Sequence, residues 1–87
     1  MFIILVYDIG EKRVGKVLKI CRKYLTRVQN SVFEGDISKP NMVKLLAEIN
    51  GVIDPAYDSV VYYEFRSKQY LDRKNIGQDG GGFKQFL

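Results

Sequence analysis

Phe2-Ile3-Ile4-Leu5-Val6-Tyr7-Asp8 decides how the rest of this sequence reads. Six apolar or aromatic residues in a row, several of them β-branched, form a β-strand. Without polar alternation, the run predicts cover on both faces, as for a central strand. It closes on a single carboxylate, Asp8, and the chain then turns basic. Lys12, Arg13, Lys16, Lys19, Arg22, Lys23 and Arg27 follow one another with no acid among them. A lone acid at the mouth of a basic surface suits a hard cation and a phosphate backbone. That points to nucleic acid.

Outward from this strand, Val14, Val17, Leu18, Cys21, Leu25 and Val28 recur at spacings of three and four. The spacing predicts a helix over Lys12–Leu25 with one apolar stripe. Lys12, Lys16, Lys19 and Lys23 fall off that stripe, so the opposite face is basic. Gly15 costs this helix up to about 1 kcal/mol against alanine. Arg27 to Ile37 reads as one further strand, with Gly35 as a bulge or bend. Ser38-Lys39-Pro40 starts a second helix, in which Ser38 caps and proline is tolerated in the first turn. Met42, Leu45, Leu46 and Ile49 form its apolar face, and Gly51 ends it. Asp54-Pro55 marks a turn, and Ser59 to Arg66 is a β-run rich in branched and aromatic residues. The order is β-α-β-α-β, with room for a fourth strand. The chain divides into a domain over 1–66 and a C-terminal segment over 67–87, where Gly77, Gly80, Gly81 and Gly82 break regular structure. Phe83, Phe86 and Leu87 have no place in so small a core, so a partner chain is their destination.

Composition narrows the function classes. The 87 residues make one domain, which buries only about 60–65% of its unfolded surface. Oligomerisation is a common remedy at this size. The net charge of +4 favours polyanionic partners. Cys21 is the only cysteine, which rules out an intramolecular disulfide and fits a reducing cytoplasm. Histidine is absent, excluding imidazole acid–base catalysis and most zinc sites. The N-terminal apolar run is too short to span a bilayer and lacks the basic start of a signal peptide, so no membrane role is expected.

Each candidate residue has two readings. Asp8 is either a Mg²⁺ ligand, credible if a two-fold axis brings up a second Asp8, or a strand-end acid that starts a turn or caps a helix. The other acids are scattered, with no D-x-D or H-E-x-x-H pattern, so two-metal chemistry has thin support. The basic helix face with Arg27 either neutralises phosphates or keeps the protein soluble. Seven positive charges uninterrupted by acid favour binding. Tyr7 and Phe33 read as core, since the paired aromatic signature of an RNA-recognition sheet is missing. Cys21, on the apolar stripe, also reads as core. Gly80-Gly81-Gly82 lacks the following Lys-Ser/Thr pair and the helix of a phosphate loop.

Phe2 to Ile9, the basic helix, and Arg27-Val28-Gln29-Asn30-Ser31-Val32-Phe33-Glu34-Gly35 together resemble the CRISPR-associated "Cas-two" family, and the likeness extends through Asp58 to Arg66. The resemblance implies an α+β, ferredoxin-like β-α-β-β-α-β domain. It further implies a homodimer in which the C-terminal segment adds a strand to the partner's sheet. Asp8 would then be the metal ligand, one Mg²⁺ being shared by the two Asp8 side chains of the dimer. Tyr7, Arg27 and Phe33 are the matched positions implied to support activity, while Arg13, Lys16, Lys19 and Arg27 are expected from the basic surface itself to hold nucleic acid. The family's denser arginine cluster is replaced here by Arg13, Gly15 and Lys16. Two roles follow from the resemblance. One is an adaptor in CRISPR spacer acquisition, gripped by "Cas-one" integrase dimers; the other is a metal-dependent endonuclease on single-stranded RNA or duplex DNA. A toxin-type ribonuclease of similar fold is the alternative. A cytoplasmic location is expected for each.

Overall fold

A computed structural model describes residues 1–74, 76 and 77. The elements run β1 (Phe2–Asp8), α1 (Glu11–Tyr24), β2 (Thr26–Gln29), β3 (Val32–Asp36), α2 (Lys39–Asn50) and β4 (Ser59–Phe65), followed by a short 3-10 turn at Lys68–Tyr70. The strands form one sheet in the order β2-β3-β1-β4, with every neighbouring pair antiparallel. This is the ferredoxin-like β-α-β-β-α-β arrangement.

Alternation along β1 sorts the sheet's two faces. Ile3, Leu5 and Tyr7 are buried beneath the helices, where they meet Val17, Leu18 and Cys21 of α1 and Met42, Leu45 and Ile49 of α2 in a single core. Phe2, Ile4, Val6 and Asp8 point the other way. On that face Phe2 packs against Phe65, with ring centroids 6.4 Å apart, while Val6 is 36% and Tyr63 56% exposed. The unbroken apolar run predicts cover on both faces, and both helices cover the same one. Much of the other face therefore presents apolar side chains.

The single strand expected from Arg27 to Ile37 is a hairpin. Its turn at Asn30 and Ser31 has no glycine, and Ser31 itself takes the left-handed conformation, with φ 62°. The Ser31 carbonyl accepts from the Tyr7 amide at 3.0 Å, tying the turn to the end of β1. Gly35 pairs in register with Ile3; the register shift lies on β2, between Arg27 and Gln29. Ser38 caps α2 as expected, its Oγ accepting from the Asn41 amide at 3.2 Å. The expected C-terminal segment lies only partly within the described residues, and Phe83, Phe86 and Leu87 fall outside them. Within its described part, Arg73 forms an ion pair with Glu34 on β3.

Two substitutions test this packing in opposite directions. Phe33 is fully buried, so Phe33→Ala loses about 3–5 kcal/mol. A Cβ at Gly15 meets nothing within 4 Å, so Gly15→Ala gains about 0.5–1 kcal/mol from helix propensity alone. Urea unfolding at fixed protein concentration measures both.

Candidate metal and nucleic-acid site

Asp8 stands on the open face at the end of β1, exposed and paired across the sheet with Ser59, the first residue of β4. The chain then passes through Ile9 and Gly10 into α1. What fixes this corner is a residue the sequence reading left unassigned. The Asp58 side chain is shut off from solvent and accepts from four donors. Its Oδ1 takes the Gly10 amide at 2.8 Å and Arg13 Nη2 at 2.9 Å. Its Oδ2 takes Arg13 Nε at 2.6 Å and the Asp54 amide at 2.8 Å. The Arg13 guanidinium, followed by the two backbone donors, holds the Asp58 carboxyl well below the usual carboxylate range. Only the acid immediately preceding the β-run marked this residue, because its strongest partner is 45 positions away.

The seven basic residues divide into separate groups. Arg13 is committed to Asp58. Lys23 and the Tyr24 hydroxyl both donate to Glu48 on α2, lowering the Glu48 pKa and raising those of Lys23 and Tyr24. Arg27 Nη2 donates to Asn30 Oδ1 at 3.0 Å, within the hairpin. Lys12, Lys16, Lys19 and Arg22 remain exposed along α1. Among the described residues none of these four has an ion pair.

The four positions that the resemblance links to activity lie on opposite faces of the sheet. Tyr7 and Phe33 stack beneath the helices at 6.1 Å, and Arg27 pairs across from Phe33 on the same side. Asp8 points to the other face. Tyr7 and Phe33 are 3% and 0% exposed, as expected of core residues. The buried Tyr7 hydroxyl has no hydrogen-bond partner among the described residues, and burial raises its pKa. Cys21 is buried too, and desolvation pushes its thiol up to about 12, far from a reactive thiolate. Among the described residues no three acids, cysteines or histidines gather as a metal site. Asp8 alone would offer a single carboxylate, a donor set that suits Mg²⁺ if a second carboxylate or phosphate oxygens complete it.

A family model described as CRISPR associated protein Cas2 matches residues 1–73. The chain belongs to that family. Among similar proteins is the CRISPR-associated endoribonuclease Cas2 of Thermotoga maritima, 46% identical over 81 residues, which cover 93% of each chain. The protein of the same name from Dictyoglomus turgidum is 39% identical over 87 residues, covering 100% of both. A crystal structure of cas2 superposes with TM-score 0.86 at 34% identity, over 100% of this chain and 98% of that one. Streptococcus pyogenes Cas2 superposes at TM-score 0.73 and 28% identity, over 86% of this chain and 100% of its own. Among the described residues no helix is long and apolar enough to cross a membrane.

Asp58 gives the Cas2 corner a pH signature. Its folded pKa lies below the ordinary value of 3.8, so its stabilisation is complete above that value and is lost as pH falls toward the folded one. Melting temperatures of wild type and Asp58→Asn should differ by a constant amount above about pH 5, and the gap should narrow between about pH 4 and pH 2. A gap independent of pH would remove the charge on Asp58 from the account.

Proposed function

We propose that this Cas2 chain acts as a homodimer that binds nucleic acid along α1 and cleaves single-stranded RNA at a divalent cation held by paired Asp8 side chains. The observation that carries the reading is Asp8 exposed on an apolar, uncovered sheet face. A second copy packed through Val6, Val61 and Tyr63 buries that face and brings a second Asp8 towards the first. Mg²⁺ bound there supplies Lewis acidity at the scissile phosphoryl group. Asp8 holds the ion, while Lys16 and Lys19 neutralise flanking phosphates in a sequence-tolerant way. Lys12 and Arg22 extend the same surface. Tyr7, Phe33 and Arg27 act through packing, by holding β1 and the hairpin in place. The endoribonuclease names of the relatives support RNA as the substrate.

The thin acid inventory favours a second role alongside the first: an adaptor for duplex DNA in spacer acquisition, with "Cas-one" integrase dimers performing the chemistry. β4 supports it by lying, among the described residues, at the sheet's edge with β1 on one side. A half-open groove of about 270 Å³, lined by Leu46, Ile49, Asn50, Ile53, Val60 and Tyr62, runs next to that edge. An added strand from a partner's C-terminal segment fits there. Family membership favours both roles over a free-standing toxin.

The deciding assay compares wild type and Asp8→Ala on labelled single-stranded RNA and duplex DNA, with Mg²⁺ or EDTA. RNA cleavage lost with both EDTA and the substitution supports the nuclease, and cleavage of duplex DNA alone would move the substrate. If neither protein cuts, or both cut equally, only the adaptor reading stands. Lys16→Glu and Lys19→Glu should each weaken binding on any sequence and reduce the salt slope by about 1.

A further inference from the structure

Asp58 brackets Asp8 from two sides. Its neighbour Ser59 is the cross-strand partner of Asp8, and its Oδ1 holds the amide of Gly10, two residues beyond Asp8. The same carboxylate takes Arg13 through two guanidinium nitrogens, which fastens the first turn of α1 to the start of β4. On the far side Oδ2 holds the Asp54 amide, and the Asp54 carbonyl accepts from the Asp58 amide at 2.7 Å, so the loop before β4 is closed on itself. Gly10 is shaped to this arrangement: a Cβ there would lie 2.5 Å from Arg13 Nη2 and 3.4 Å from Asp58 Oδ1. A fork of this kind fixes direction as well as distance.

We infer that Asp58, acting through Arg13 and the Gly10 amide, is the positioning residue that holds Asp8 in the geometry needed to bind a divalent cation. The inference rests on Asp8 being the metal ligand. Groups that orient a ligand from outside the coordination sphere change metal affinity without touching the metal, by about 10–100-fold on removal. Arg13 therefore serves the corner rather than the phosphate backbone, and its exposed face is limited to 28% of the side chain.

The test measures Mn²⁺ affinity by electron paramagnetic resonance on full-length wild type, Asp8→Ala, Asp58→Asn and Arg13→Lys, with circular dichroism on each to confirm folding. Folded Asp58→Asn should bind Mn²⁺ about 10–100-fold more weakly. Arg13→Lys, which keeps the charge and loses the fork, should fall between it and wild type. A merely structural brace lowers the melting temperature and leaves the affinity of the folded protein unchanged, so affinity within twofold of wild type overturns the inference. Should Asp58→Asn not fold, Arg13→Lys decides by the same criterion. If wild type binds no more tightly than Asp8→Ala, the assignment of Asp8 itself fails, and the positioning role falls with it.

Discussion

A carboxylate taken out of water must find donors or be protonated, and the demands of Asp58 organise one end of this domain. Its four donors come from the β1–α1 loop, from α1 and from the loop before β4, segments far apart in sequence. Displacing the carboxylate breaks all four of these hydrogen bonds together. The corner is therefore all-or-none, and everything that leaves it inherits its geometry. β1 delivers Asp8 to the open face, α1 departs with its lysines towards solvent, and β4 enters the sheet opposite Tyr7 and Asp8.

The helices and the central strand were legible because their periodicities are strong. Val17, Leu18 and Cys21 fall on the α1 stripe and are all buried, and Ile3, Leu5 and Tyr7 alternate inward as a strand must. The β2–β3 hairpin escaped the residue-level reading, though not the family resemblance, because its turn uses Asn30-Ser31 instead of a glycine pair. Gly35 attracted the bulge that belongs to β2. Charge was legible as a total and illegible as an allocation. Arg13 and Lys23 look like their neighbours in sequence, and only the distant Asp58 and Glu48 set them apart from the lysines of α1 that have no ion pair among the described residues. Asp8 could be singled out by its place at a strand end. Strand alternation alone sets Tyr7 on the opposite face from Asp8, but no spacing rule could announce that Phe33 and Arg27 would join Tyr7 there.

That separation of faces assigns distinct physical tasks. The helix-covered side is apolar and aromatic, and among the described residues the Tyr7 hydroxyl is buried there without a hydrogen-bond partner. The uncovered side combines apolar side chains with Asp8 and with the Glu34–Arg73 ion pair. A sheet of this design buries only one of its surfaces beneath the two helices. This is the economy a chain of 87 residues requires.

The place of β4 beside β1 carries a consequence for synthesis. β1 is made before the other described elements, yet one of its edges stays bare until β4, the last strand among the described residues, has left the ribosome. Pairing the two ends of the domain is a high-contact-order event, slow relative to helix formation. Throughout that interval Ile3, Ile4, Leu5 and Val6 form an unprotected apolar edge, the kind of segment that nascent chains lose to aggregation. The strand that presents Asp8 is thus translated ahead of its described partners and is the last of them to be completed.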